Sequence, residues 1–325
     1  MKYIALDKGC ITNSIYHFPS QMVFFTTPEL LEIGGLPFVS PYEKPTRAEA
    51  LKYYRKVVDA YDLQITFEET VLSVAAETEA PRDQKDEVLF AVETRSTRGV
   101  RRVRHARNVV LAVGYYDHPN LLGVPGEDLP HVHHYYGESH PYYRQRVVVV
   151  GGGNSAAESS LELHRAGAHV TLVHRWSELK STIKYWVKPD IENRIKEGSI
   201  AARFNTCVAE IRPTSIIVRT REAEGQPSTA SAGGWDAARS KEDELPADAV
   251  FLLTGYHPDY DLLTRAGVSL NDRGVPAYDA DTFETNVVGL FVAGGVISGR
   301  DTAPIFIENG RFHGEKIVEV ISARR

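Results

Sequence analysis

Residues Gly151-Gly152-Gly153-Asn154-Ser155-Ala156 read G-x-G-x-x-A, a spacing that lets backbone amides cradle a phosphate. Gly151 permits a tight turn, Gly153 lets the backbone approach a pyrophosphate, and small Ala156 lets a helix pack close to the preceding strand. About twenty residues on, a carboxylate would take a ribose 2′-hydroxyl. The chain instead carries Val173-His174-Arg175-Trp176, with Lys180 and Lys184 downstream. A carboxylate would repel a 2′-phosphate, whereas a guanidinium can grip it through two parallel N–H bonds. The chemistry indicated is binding of NADPH, with Arg175 and Lys180 on the phosphate. The competing reading of Arg175 is a solvated surface residue.

The elements around this loop support it. Arg146-Val-Val-Val-Val150 is a continuous β-branched run, the pattern of a strand buried on both faces of a parallel sheet. Ser155–Arg165, rich in Ala, Leu and Glu, predicts a helix that stops at Gly167. Val170–Val173 predicts a second strand. Phosphates would then sit at the helix N-terminus, where unpaired N–H groups favour anions. Near the start, Tyr3–Gly9 reads as a short buried strand ending in Asp7. That fits the second strand of another dinucleotide unit, its carboxylate on an adenosine ribose, or an edge strand with a chance acid. Arg107–Gly114 and Val287–Gly295 are further buried strands ending in glycine, Asp248–Gly255 plausibly closes the middle unit, and Phe306–Ile321 reads as helix. One nucleotide-binding domain is therefore expected to be split, with a second inserted into it.

Composition narrows the classes. A chain of 325 residues suggests two domains. A formal charge of −6 and a pI near 6.1 argue against a nucleic-acid binder. Cys10 and Cys207 cannot build a disulfide scaffold, and no C-x-x-C or zinc spacing exists. Apolar runs such as Val109–Val113 fall far short of the roughly 18 residues of a membrane span. No signal peptide is evident, so a cytoplasmic setting is expected. Of His131, His133, His134 and His140, alternation puts His131 and His133 on one strand face, which could suit a metal, but without a nearby acid or thiolate the cluster reads better as an aromatic connector. The run Tyr53–Val58 reads as an amphipathic helix. No hydrolase elbow, H-E-x-x-H or Walker loop is present.

Several long strings resemble the YpdA-type bacillithiol disulfide reductases, which are two-dinucleotide-binding flavoproteins of thioredoxin-reductase type. They are Asn13-Ser-Ile-Tyr-His-Phe-Pro19 with Phe24-Phe25, Gly255-Tyr-His-Pro-Asp-Tyr260, and Phe306-Ile-Glu-Asn-Gly-Arg-Phe-His-Gly314. The resemblance spans nearly the whole chain except the polar insertion from about Arg221 to Leu245, which reads as an extended hairpin loop. It implies an α/β fold of two Rossmann-like dinucleotide-binding domains, the NADPH domain inserted into a split FAD domain. The expected boundaries are 1–118 for the first FAD part, 119–145 for a connector, 146–255 for the NADPH domain and 256–325 for the second FAD part. It also implies hydride transfer from NADPH to FAD and reduction of a low-molecular-weight disulfide. Gly151, Gly153, Asn154, Ser155, Ala156 and Glu158 would hold the nicotinamide nucleotide, and Arg175 and Lys180 the 2′-phosphate. Asp7, Gly114, Gly294, Ile305 and Phe306 would line FAD.

The chain departs from that pattern in its first strand, FAD glycine loop and loop cysteine, which would have to precede Met1; an N-terminally shortened chain is the expectation. A second departure is Gly295, which stands where related flavoproteins place an acid. That agrees with the closer subfamily. Neither cysteine suits a nucleophile: Cys10 is expected at the adenosine end of FAD, and Cys207 as a small buried hydrophobe on a strand. No catalytic residue is therefore nominated. The absence of C-x-x-C argues against a thioredoxin reductase. A flavin monooxygenase or ferredoxin–NADP reductase on the same scaffold, and a non-catalytic NADPH-binding remnant, remain the rival readings. The expected partners are a small disulfide substrate and, by default, a second copy of the chain.

Overall fold

The computed structural model describes residues 2–77, 89–221, 240–302 and 304–324. It divides into two compact units, one comprising Met1–His118 with Tyr256–Arg325 and the other Pro119–Gly255.

The first unit opens with β1 (Ala5–Leu6), α1 (Asn13–Tyr16), α2 (Arg47–Tyr61) and β2 (Ile65–Thr66), with β1 parallel to β2. Helix α2 starts at a reciprocal cap, in which Thr46 Oγ1 accepts the Glu49 N–H and the Glu49 carboxylate accepts the Thr46 N–H. Its buried residues Ala50, Tyr53, Tyr54 and Val57 fall at helical spacing and form the seam of a local core. Next come β3 (Glu69–Glu77), β4 (Leu89–Ser96) and β5 (Arg101–Ala106), an antiparallel sheet. Its buried Glu69 is gripped by Arg104 through both carboxylate oxygens and by the Thr94 hydroxyl, which hold its carboxyl below the usual range. β6 (Val109–Leu111) ends this half.

The second unit holds β7 (Val132–His133), β8 (Arg146–Val150), α3 (Asn154–Arg165), β9 (His169–Val173), α4 (Lys188–Lys196), β10 (Ala201–Arg203), β11 (Thr206–Arg212), β12 (Ser215–Arg221), β13 (Ser240–Pro246) and β14 (Ala249–Leu252). Five parallel strands lie in the order β10-β9-β8-β14-β7. The valine run of β8 is buried on both faces. Val147 and Val149 pack with Ala157 and Leu161 of α3, while Val148 and Val150 pack with Val208, Ile216 and Val218 of the antiparallel β11-β12-β13 sheet. A strand sandwiched between a helix and a second sheet has no polar face, so no alternation is seen in its sequence.

Returning to the first unit, the chain forms α5 (Tyr260–Arg265), β15 (Leu290–Val292), α6 (Ile307–Gly310) and α7 (His313–Ala323). β15 runs parallel to β6, with Val292 opposite Leu111.

Four expectations change in detail. Residues 119–145, expected as a connector, lie in the second unit and contribute β7 to its sheet. The helix expected over 306–321 is two helices, α6 and α7, joined by a turn at Arg311 and Phe312, where the Arg311 guanidinium donates to the carbonyls of Glu29 and Glu32. The terminal strands are shorter than their apolar runs, with β1 only Ala5–Leu6, β6 Val109–Leu111 and β15 Leu290–Val292. Finally, Ser240–Pro246 of the expected loop is strand β13, paired along its length with β12, while residues 222–239 lie outside the described residues.

Candidate functional site

In the second unit the expected loop is the turn between β8 and α3. Gly151 has φ of +153°, and a Cβ on it would stand 2.5 Å from the Leu253 carbonyl oxygen and 3.0 Å from the Ala156 Cβ. Only glycine fits there, and Ala156 is as large a residue as the opposing helix position accepts. Gly153 is the N-cap of α3, with no side chain capping the first turn. The leading amides of α3 therefore face outward, as a bound phosphate requires. Ser155 is exposed at this end.

The segment after β9 folds back over the turn. The Lys180 N–H donates to the Gly152 carbonyl at 2.9 Å, which leaves the Lys180 side chain beside Gly153. Asn154 clamps the segment twice, its Nδ2 donating to the Thr182 carbonyl and its Oδ1 accepting the Lys184 N–H. Buried Lys184 Nζ reaches Glu158 at 2.6 Å. Asn154 and Glu158, expected as nucleotide ligands, thus hold the segment that carries Lys180. Arg175 is exposed, with its guanidinium over the Trp176 ring at 5.3 Å.

Sequence reasoning passed over His174. Its ring is buried against the turn, and a Cβ on Gly152 would lie 2.1 Å from its Cε1. Burial first, then the charges of Arg175 and Lys180, push its pKa down to about 4, so the imidazole is neutral. Its Nε2 is buried without a hydrogen-bond partner. An orphaned buried nitrogen beside an uncapped helix terminus is the feature a nucleotide would complete. A dinucleotide with a phosphorylated ribose thus fits the residues present. His174 stood in the sequence as the neighbour of Arg175, but its burial depends on Gly152, more than twenty residues earlier.

The expected residues of the first unit are only partly brought together. Gly114 and Gly294 lie shortly after the paired strands β6 and β15, with φ of +66° and +69°, and a Cβ on either would meet no atom within 4 Å. Two glycine corners beside open space fit close approach by a cofactor. Gly295 is held to glycine by the Tyr115 ring, 2.8 Å from where its Cβ would be. Asp7 follows β1, outside the β6–β15 pair, and its Oδ1 accepts the Gly9 N–H at 2.8 Å. Ile305 is half-buried and Phe306 exposed just before α6, where the Phe306 N–H is taken by Asn309 Oδ1 at 2.9 Å.

The remaining candidates have their own surroundings. Cys10 is exposed and next to Asn13, and Cys207 is half-buried on β11, where burial raises its thiol pKa. His133 packs at 5.1 Å from the Phe251 ring and 6.2 Å from Tyr142, and His134 faces Glu127 at 3.8 Å. No cluster of three His, Cys, Asp or Glu able to hold a metal occurs among the described residues. Nor is any described helix long and apolar enough to cross a membrane.

Comparison with known proteins decides the family. The model of the pyridine nucleotide-disulphide oxidoreductases matches residues 1–294. The chain belongs to that family. Among pyridine nucleotide-disulphide oxidoreductases and their relatives it is similar to the bacilliredoxin reductase Bdr of Bacillus subtilis, 38% identical over 99% of this chain and 90% of that protein. It is also similar to the solved bacillithiol disulfide reductase Bdr (YpdA) of Bacillus cereus, at TM-score 0.88 and 37% identity, covering 99% of this chain and 91% of that one. The Staphylococcus aureus counterpart matches at TM-score 0.85 and 34% identity, with the same coverage. Family membership accords with the thioredoxin-reductase-like α/β fold of two dinucleotide-binding domains.

Proposed function

We propose that this oxidoreductase takes reducing equivalents from NADPH through FAD to a low-molecular-weight thiol disulfide of the bacillithiol type, in the cytoplasm. The observation that carries the coenzyme assignment is the end of β9. There the neutral His174 lies against the glycine turn, and the cations Arg175 and Lys180 stand where an NAD site would place a carboxylate. The choice of substrate follows the resemblance to the Bdr proteins.

When bound, the two cofactors supply hydride transfer and disulfide reduction. The protein holds and orients them. The N-terminus of α3 takes the pyrophosphate of NADPH, and Arg175 and Lys180 take its 2′-phosphate. Asn154, Glu158 and Lys184 lock the segment bearing Lys180 onto the turn. Gly114 and Gly294 present bare backbone to FAD.

The test uses the purified chain. Absorbance bands of bound flavin that bleach on adding NADPH, with bacillithiol disulfide-dependent oxidation of NADPH faster than of NADH, are expected. A colourless protein that FAD cannot reconstitute, or equal use of the two coenzymes, overturns the reading.

A further inference from the structure

We propose that His313 is a positioning residue for the flavin, its imidazole acting as the latch that holds the corner Ala293-Gly294-Gly295 in the shape that receives the cofactor. The inference rests on assigning that corner to FAD, and its test separates the two claims.

Gly294 follows β15 in a left-handed conformation, φ +69°, so its amide leaves the line of the β6–β15 ladder. Up to Ala293 the ladder still supplies partners, since the Ala293 N–H donates to the Leu111 carbonyl. One residue later the Gly294 N–H is taken by a side chain instead, His313 Nδ1 at 3.1 Å. A half-buried amide with no ladder partner would cost roughly 1–3 kcal/mol if left unpaired. The corner is therefore fixed by a residue 19 positions away in the chain.

The imidazole is itself held on two sides. Its ring stacks on Phe283 with centroids 4.2 Å apart and planes at 23°, and His313 is 8% exposed. Phe283 belongs to the segment folded against β15, where its carbonyl accepts the Val292 N–H. Gly310 of α6 also comes close, its Cβ position lying 3.4 Å from the Gly294 Cα. The start of α7, the end of α6 and the glycine corner thus form one packed unit. Gly294 itself remains open on its other side, where a Cβ would meet no atom within 4 Å.

The chemistry of the latch is one-directional. To accept from Gly294, Nδ1 must carry no proton, so the neutral Nε2–H tautomer is required. An imidazolium would set N–H against N–H and open the corner. Burial disfavours that form and lowers the pKa. The elements around the ring leave this balance alone. Glu284, next to Phe283, is paired with Arg324; Arg311 is bound to the Glu29 and Glu32 carbonyls; Glu308, Glu315 and Lys316 lie on α6 and α7. Burial is the one cause that moves His313.

Two substitutions separate acceptor from ring. His313→Phe keeps a ring for Phe283 but removes the acceptor. His313→Asn loses the ring but keeps an acceptor oxygen at the δ position. We expect His313→Phe to weaken FAD binding about tenfold, the effect of one lost hydrogen bond, and to shift the visible bands of bound flavin. Deuterium uptake at Gly294 in the flavin-free protein should rise with it. His313→Asn should restore both readouts at least in part. A packing role predicts the reverse order, with Phe tolerated and Asn damaging, and that result overturns the proposal. So does a Phe variant indistinguishable from wild type in Gly294 exchange. If exchange responds as expected but wild type takes up no FAD, the latch is real and its assignment to flavin is wrong.

Discussion

The glycine turn of the second unit and the glycine corner of the first meet the same requirement in opposite ways. At the β8–α3 turn two of the three glycines are walled in: a Cβ on Gly151 would strike the Leu253 carbonyl, and one on Gly152 the His174 ring. At Gly114 and Gly294 nothing lies within 4 Å, and only the positive φ calls for glycine. Each site has a buried histidine whose pKa burial lowers. His174 keeps its Nε2 unpartnered, whereas His313 gives its Nδ1 to a backbone amide. The first site is shaped by packing that exists without ligand, the second by backbone conformation and one hydrogen bond. Substitutions at the first should therefore register in stability, and at the second in cofactor binding.

Gly151→Ala gives the largest effect. Its Cβ would meet a main-chain oxygen at 2.5 Å, where no side-chain rotation can relieve the contact, in a φ region that L residues rarely adopt. Overpacking and backbone strain together should cost about 3 kcal/mol or more. Urea unfolding followed in the second unit, for example through Trp176 and Trp186 fluorescence, should show that loss without any nucleotide. A variant within about 0.5 kcal/mol of wild type would mean that the turn is not walled in, and the contrast fails.

Arg175→Glu comes next, and here the readout is the ligand. If Arg175 holds the 2′-phosphate as proposed, replacing its guanidinium by a carboxylate removes one or two charge-assisted hydrogen bonds, each worth about 1.5–3 kcal/mol, and adds repulsion. The kcat/KM for NADPH should fall about a hundredfold while that for NADH holds or rises. Unfolding free energy should stay within about 0.5 kcal/mol, since Arg175 is exposed. Equal losses for both coenzymes would place the phosphate elsewhere.

How far such sites can be read from sequence differs between the units in the same way. The β8–turn–α3–β9 unit was legible because every determinant is local: the valine run, three glycines, Ala156 and the arginine after β9 lie within thirty residues. The corner of the first unit depends on contacts far apart in sequence. At the turn between α6 and α7, Arg311 reaches carbonyls 282 and 279 residues away. His313 looked like one more residue of a helix, and its link to Gly294 appears only once α7 is docked. The sheet β3-β4-β5 carries so many charges, as in Arg101-Arg-Val-Arg-His-Ala106, that alternation is masked, and its buried Glu69 makes sense only beside Arg104. Asn154 and Glu158 show the converse. They are expected as nucleotide ligands, yet their side chains serve the Lys180 segment, which motif geometry alone does not reveal.

Acidification probes the histidine half of the contrast. His174 has a folded pKa of about 4 against an ordinary 6.5, so between those values the unfolded chain binds a proton that the folded one refuses. Stability is therefore full above pH 6.5 and falls as pH drops toward 4, by up to about 1.4 kcal/mol per pH unit from this group. His174→Phe should flatten that slope in the second unit. If the slope is unchanged, His174 is not the neutral buried group described here. NADPH binding should deepen the slope if the phosphate contacts need the neutral ring.

At Gly294→Ala the expected effect on stability is well below that of Gly151→Ala. Holding alanine at φ +69° costs about 1–2 kcal/mol, with no clash added, because its methyl group would project into open space. If that space belongs to flavin, the same methyl group should cost FAD affinity far more than it costs the fold. Isothermal titration with FAD should show a drop well beyond a hundredfold, more than the ~1–2 kcal/mol lost from the unfolding free energy. A variant that loses stability and binding in proportion would make the corner a structural turn like Gly151. The distinction between a site shaped by packing and one shaped by conformation would then disappear.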